Sequence, residues 1–389
     1  MPHRQASAEH KRPRRAGDPK TPRRHAAPPD HRPEKAQHLA RLPQPRYVCT
    51  MRALPVSLFA LAAASPLALL ALGATLGGVW PLLAALYMSA AAVTLDLLAP
   101  QIAGTAPHRE FPLADALLVA LGCLALAALP LLTFAIASPG PLTLSDRIGL
   151  FVAAGLWFGQ VGHPAAHELI HRPRPLFWLG ATLYTALLFG HHTSAHRLVH
   201  HRFVASRDDP NTARTGESFY RFLPRAWAGS FRQGWAAETA LRKGHSSLHP
   251  YVLYISGAVL ALGAAYWIAG LPGLLVWAGL GLHMGSQILL SDYIQHYGLT
   301  RTTNPDGKLA PVTAAHSWNT AHPYSSALML NAPRHSDHHA HPSRPYPSLR
   351  LPDDAPLLPW PLPLAGLIAL YPPLWHRRMR PLLARIAKP

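Results

Sequence analysis

Arg334-His335-Ser336-Asp337-His338-His339-Ala340-His341 holds four imidazoles in eight residues. Neutral imidazole is the commonest protein ligand for borderline transition metals and suits zinc, copper and iron. The spacing His335-x-x-His338-His339 lets three rings converge from a turn or a helix end. As a buried segment without a metal, it would need a partner for every ring nitrogen. Three further groups have ligand spacing. His167-Glu168-Leu169-Ile170-His171 puts two rings at i and i+4 on one helix face. His196-Arg197-Leu198-Val199-His200-His201 repeats the i, i+4 relation and adds i+5. His296 closes an apolar run within Tyr293-Ile294-Gln295-His296-Tyr297-Gly298-Leu299.

The first of these three spacings also binds zinc in metalloproteases, with the Glu as general base. Here it continues out of an apolar run and has three companion clusters, which argues against a protease. Histidine tracts can also bind metal loosely, and four unrelated polar helix ends are the plainest alternative. Four groups with ligand spacing, expected on one membrane face, point instead to a built centre. The nine imidazoles in these groups exceed what one ion takes, about four to six ligands, so two ions fit. An all-nitrogen site with an open position near a bilayer suits iron and oxygen chemistry better than structural zinc.

These clusters need elements to hold them. The chain has 389 residues, of which only 14% are charged, and it shows no internal repeat of 20–50 residues. Apolar runs at roughly 54–77, 79–99, 112–137, 148–166, 251–270 and 272–294 each approach the ~20 residues that cross a bilayer as a helix. Gly77-Gly78 predicts a tight hairpin between the first two. Ser138-Pro139-Gly140-Pro141 separates the third from the fourth. The run at 175–190 is short for a full span and is expected to re-enter or lie at the interface. Residues 202–249 read as amphipathic interfacial helices. A Pro-broken apolar segment covers 358–375. The expected fold is therefore an all-α integral membrane protein. It has six transmembrane helices, a short re-entrant or interfacial segment and a helical His-rich region on the cytoplasmic side.

Charge sets the expected orientation. Residues 1–52 carry 13 Lys/Arg against 4 Asp/Glu, half of the chain's formal +18. This basic, Pro-rich stretch is expected to be a disordered tail over 1–50, and Met51 is a plausible alternative start. The membrane domain is expected over 51–380, with a basic end at 381–389. The positive-inside rule puts both termini and all four His clusters in the cytoplasm. Topology and anionic lipid explain the basic residues better than nucleic acid does. Cys49 and Cys123 are the only cysteines. They form no Cys-x-x-Cys pair, so an iron–sulfur or rubredoxin-type electron carrier must be a separate protein.

At this point the motifs carry a resemblance. The chain resembles the membrane di-iron superfamily of fatty acid desaturases and hydroxylases, and within it the bacterial alkane 1-monooxygenases. The family's HExxH(K/R) box matches His167-Glu168-Leu169-Ile170-His171-Arg172. Its HxxxHH box with a following Asp-Pro matches His196 to His201 with Asp209-Pro210. Its NYIEHYGL signature matches Asp292 to Leu299, with Asp292 for Asn and Gln295 for Glu. Its RHSDHHxxP box matches Arg334 to Pro342. His316-Ser317-Trp318-Asn319 and Pro372-Pro373-Leu374-Trp375 also fall where the family has similar strings.

The resemblance implies that His167, His171, His196, His200, His201, His296, His335, His338 and His339 hold two iron ions. Glu168, Asp209, Asp292, Asp337 and Asn319 are candidates to orient those rings, with helix caps or plain surface charge as their bland alternative. His163, His191, His192, His316, His322 and His341 lie near the boxes but outside the ligand pattern. His283 is expected to face the bundle interior. The implied reaction is terminal hydroxylation of a medium-chain n-alkane drawn from the bilayer, with O2 as co-substrate. Electrons would come from rubredoxin, itself reduced by an NAD(P)H-dependent rubredoxin reductase, at a bacterial inner membrane. The competing readings are a related di-iron enzyme acting on aryl-methyl or fatty-acyl groups, and a non-catalytic membrane metal-binding protein.

Overall fold

A backbone in hydrocarbon must satisfy its own N–H and C=O groups, so long apolar runs close into helices. The computed structural model describes residues 55–99, 111–244 and 246–386, and among them no β-strand forms. The expected tail over 1–50 lies outside the described residues. Helix α1 is Val56–Leu76 and α2 is Trp80–Leu98. Between them Gly77 and Gly78 take φ of 62° and 63°, a left-handed conformation that costs glycine little. The Gly78 amide donates to Asp146 Oδ1 at 2.8 Å. Asp146 also closes a capping box with Thr143, so one carboxylate fixes the first hairpin and the start of a later helix.

Helix α3 is Ala114–Ala137. Its buried residues Leu118, Leu121, Ala125, Leu129 and Leu132 recur at helical spacing, the signature of one packed face. Helix α4 runs over 144–170 as Leu144–Trp157, a π turn Phe158–Gly162 and His163–Ile170. Helix α5, Leu176–Ala186, follows. Helix α6 spans 192–203 and includes a second π turn, His196–His200. Helix α7 is Phe219–Leu241, buried through Phe219, Phe222, Ala226, Ser230 and Gly234; its exposed face mixes Arg221, Arg232 and Gln233 with Tyr220, Phe231 and Trp235, in line with the interfacial character expected there.

Helix α8, Pro250–His296, is bent at Ala269 and Gly270, whose dihedrals are non-helical. The bend is tight: a Cβ on Gly273 would come within 2.3 Å of the Ala265 carbonyl oxygen. Its two arms correspond to the runs expected over 251–270 and 272–294. Among the described residues four helices are long and apolar enough to cross a membrane, namely α1, α2, α3 and α8. The run expected over 148–166 lies within α4, where every residue from Ala153 to Ile170 except Leu156 and His163 is buried. Outward-facing apolar side chains include Leu131, Leu260 and Trp267, the last 88% exposed. A hydrocarbon surround matches such a surface.

The remaining elements cap one end of the bundle. They are α9 (Pro323–Leu328), α10 (His335–Ala340), α11 (Leu362–Ala369) and α12 (Pro372–Ile386). The loop after α8 is strapped to that helix's end. Trp318 donates its amide to the Gln295 carbonyl at 2.7 Å and its indole N–H to the Tyr297 carbonyl at 3.0 Å. Gln295 Nε2 donates to the Ala332 carbonyl at 3.0 Å. A longer tie joins the bundle to α9. Buried Asp96, on α2, accepts from the Tyr324 amide at 2.7 Å and from the Ser325 amide at 3.1 Å.

Asp96 thereby satisfies two N–H groups at the start of α9 that have no partner within the helix. Asp96→Ala should cost about 1–3 kcal/mol and lower the thermal midpoint of the detergent-solubilised protein. Asp96→Asn, which keeps an acceptor, should recover much of the loss. An unchanged midpoint for Asp96→Ala would show that the tie is dispensable.

Candidate metal centre

The nine histidines of the four motifs meet at one end of the bundle, in two adjacent groups. His167, His171, His196, His201 and His338 form one; His200, His296, His335 and His339 form the other. Within each group the facing ring nitrogens lie within 4.8 Å of one another. Local geometry explains the division. In α4, His167 and His171 are one helical turn apart and share a face. In α6, the π turn brings i and i+5 into register, so His196 and His201 join the first group while His200 turns to the second. In α10, His335 and His339 share a face and His338 points to the other group. The groups touch: the His201 and His339 rings are 4.6 Å apart, centre to centre.

The short chain between the first two clusters returns to where it started. Helix α5 packs on the end of α4, and the residues flanking it deliver rings to one place, with His171 Nε2 3.1 Å from His196 Nε2.

The donor set fits a cation. His196 Nε2 lies 2.9 Å from His167 Nε2, 3.1 Å from His171 Nε2 and 2.9 Å from His201 Nε2. A single proton on His196 can bridge only one of these contacts, so lone pairs are left facing one another. In the second group His335 Nε2 lies 3.1 Å from His296 Nε2 and 3.0 Å from His339 Nε2. His200 Nε2 is buried with no hydrogen-bond partner among the described residues. A metal ion placed among these nitrogens turns repulsion into ligation. Burial, reinforced by the neighbouring imidazoles, holds His196, His201, His335, His338 and His339 well below the ordinary histidine pKa. They are therefore neutral, which is the form that binds metal.

The far sides of two of the rings are held by specific acceptors. His200 Nδ1 donates to Asp209 Oδ2 at 2.9 Å. Asp209 is itself fixed by the Thr212 hydroxyl at 2.7 Å and the Asn211 amide at 3.0 Å. Burial pushes the His200 pKa down, but the charge and hydrogen bond of Asp209 raise it past its usual value. His296 Nδ1 donates to the carbonyl of His316 at 3.1 Å. Such contacts set the tautomer and make the opposite nitrogen a better donor to metal.

The other candidate orienting residues touch different partners. Asn319 accepts from the Ser336 amide at 2.9 Å and donates to its hydroxyl at 2.7 Å, so it anchors the first turn of α10. Glu168 accepts from Arg172 at 3.0 Å, and burial raises its pKa to about 7. Asp292 accepts from Asn211 at 2.7 Å, one residue removed from the Asp209–His200 pair. Asp337 binds His341, Arg344 and the Arg350 amide and so ties α10 to the loop after it.

The neighbouring histidines flank the groups. His163 is hydrogen-bonded to the Tyr184 hydroxyl at 2.8 Å, and the His192 ring lies 5.0 Å from that of His196. His191 lies 3.3 Å from the Ser230 hydroxyl. His283 stacks on Phe151 beside Gly155 of α4, a position on the bundle side of α8. The carbonyl of His316 and the hydroxyl of Ser336 were not singled out from the sequence. A backbone carbonyl has no residue-type signal, and serine is too common to carry one.

The model of the fatty acid desaturase family matches residues 147–358, more than half of the chain, a stretch that contains all nine histidines. Alkane 1-monooxygenase 2 of Alcanivorax borkumensis is 33% identical over 246 residues, covering 61% of this chain and 64% of that protein. Alkane 1-monooxygenase 1 of the same organism is 36% identical over 248 residues, covering 62% and 61%. The hydroxylase component of xylene/toluene monooxygenase from Pseudomonas putida is 28% identical over 269 residues, covering 64% and 67%. The chain thus spans less than two thirds of the length of the alkane 1-monooxygenases it matches.

Removing a ring's far-side acceptor should weaken metal binding without unfolding the bundle. Asp209→Ala should reduce affinity for a bound divalent metal roughly 10- to 100-fold, read as faster metal loss to a chelator at unchanged helical content. Metal retention equal to the unsubstituted protein would remove Asp209 from the support of the site.

Proposed function

The chain belongs to the fatty acid desaturase family, and from that premise we propose that it is a membrane-bound non-haem di-iron monooxygenase acting on the terminal methyl of medium-chain n-alkanes. In the proposed reaction an alkane, O2, two electrons and two protons give a primary alcohol and water. One observation carries the reading: two adjacent groups of facing imidazoles within a stretch similar to alkane 1-monooxygenases.

His167, His171, His196, His201 and His338 would hold one iron, and His200, His296, His335 and His339 the other. The reduced iron pair, when bound, supplies the activation of O2. The protein supplies position and dryness. Asp209 and the His316 carbonyl fix the rings of His200 and His296. Asn319 and Ser336 fix the helix that carries three ligands. Burial of the rings keeps water from the reacting groups. The turns of α4 that precede His167 carry buried Phe158 and Val161, which make this part of the helix apolar.

The proposed topology has six crossings: α1, α2, α3, the 148–166 part of α4, and the two arms of α8. Four apolar helices, one of them sharply bent, support it. The positive-inside rule orients both termini and the histidines to the cytoplasm of a bacterial inner membrane. An alkane concentrates in the bilayer and approaches the centre from within it. Electrons reach the centre from rubredoxin, reduced in turn by an NAD(P)H-dependent reductase. The chain has no Cys-x-x-Cys pair with which to build such a carrier itself, and basic residues at this end favour an acidic one.

The likeness to the xylene/toluene monooxygenase component supports a second substrate class, aryl methyl groups on the same centre. Purified protein should hold about two irons per chain and convert octane to 1-octanol when supplied with rubredoxin, its reductase and NADH. Formation of benzyl alcohol from toluene, with no octanol, would move the substrate to aryl methyls. His338→Ala and His339→Ala should each lose iron and lower turnover by at least about 100-fold while still inserting in the membrane. Zinc in place of iron, or full turnover in either variant, would sink the di-iron reading.

A further inference from the structure

A second feature adjoins the imidazole groups through α6. A cavity of about 340 Å³ opens between the start of α5, the π turn of α6, the end of α7 and the start of α8, where Pro250 and Tyr254 line it. Three guanidiniums line it, those of Arg174, Arg197 and Arg242. The carboxylate among its lining residues, Glu238, is bound by Arg242 and by the Ser194 hydroxyl. Its charge is therefore matched, and it holds Arg242 in place. Arg174 and Arg197 form no ion pair among the described residues. Each is braced by an aromatic ring instead: Arg174 lies 5.4 Å from the Trp178 ring centre and Arg197 4.9 Å from that of Phe177.

A cation–π contact of this kind attracts the guanidinium to the ring without using up its N–H donors. Two braced, unpaired guanidiniums beside a neutralised pair give the cavity a net positive charge. Each planar fork matches two oxygens of a phosphate. Position identifies the source of that phosphate. Pro250 begins the apolar helix α8, and Trp178, 39% exposed, is of the residue type that settles at the headgroup level of a bilayer.

We propose that this cavity binds a phosphate group, carried by the headgroup of an anionic lipid. The proposal rests on the membrane reading of the apolar helices and is independent of the hydroxylase chemistry. Because Arg197 follows His196 directly in α6, an occupied cavity would also brace the π turn that presents His196, His200 and His201.

The test is native mass spectrometry of the full chain in detergent, titrated with phosphatidylglycerol, phosphatidylcholine or inorganic phosphate. The unsubstituted protein should retain phosphatidylglycerol in preference to phosphatidylcholine. R174Q/R197Q should bind phosphatidylglycerol about tenfold or more weakly, and R174K/R197K, which keeps the charge, should fall between. Metal content and elution volume equal to those of the unsubstituted protein establish that R174Q/R197Q is folded. Where they differ, R174Q alone is read, with the same direction expected. Loss of inorganic phosphate binding in the glutamine variant, with phosphatidylglycerol retention unchanged, would keep the phosphate site and overturn its lipid source. Retention of phosphatidylglycerol and of inorganic phosphate that is equal in the unsubstituted protein and all variants would overturn the site itself.

Discussion

Buried imidazoles that face one another across about 3 Å are the constraint that organises this molecule. Each ring has been taken out of water, and in its neutral form it carries one N–H and one lone pair. Around His196 Nε2 three other ring nitrogens approach to 2.9–3.1 Å, more than one proton can satisfy. The arrangement is costly as a hydrogen-bonded core. It becomes favourable once a cation sits among the lone pairs and the outward N–H groups find acceptors. Asp209 and the His316 carbonyl are such acceptors, and they lie on elements other than those that carry the rings they hold.

This requirement explains several otherwise odd features of the fold. A π turn is a weaker helical conformation than an α turn, and such turns cluster at functional sites. The one at His196–His200 sends His200 to one group and His196 with His201 to the other. Helix α10 is only six residues long, too short to stand alone. It is anchored by Asn319 at its first turn and by Asp337 to the loop that follows. The loop after α8 is pinned to the bundle through Trp318 and Gln295, and α9 is pinned to α2 through Asp96. The apolar helices thus do more than hold a place in lipid: they provide the rigid end on which polar segments are mounted.

Much of this was legible in the sequence because two of its signals are local. Apolar run length foretold the long helices, and Gly77-Gly78 foretold the first hairpin. Imidazole spacing marked all nine rings, and Asp209, near the second cluster, was marked as an orienting residue whose contact with His200 the structure shows. The remainder depended on relations that spacing does not encode. The i, i+4 rule puts His196 with His200, and only the π turn separates them. Glu168 and Asp337 have the residue type to orient a ring, but Arg172 and Arg344 lie within reach and take them. The His316 carbonyl had no signal at all.

The central claim is that the two histidine groups hold two separate metal ions. Anomalous diffraction at the iron edge, from crystals of the detergent-solubilised protein, tests it most directly. Two peaks are expected, one among His167, His171, His196, His201 and His338 and one among His200, His296, His335 and His339. A single peak, or iron lodged outside these rings, would contradict it.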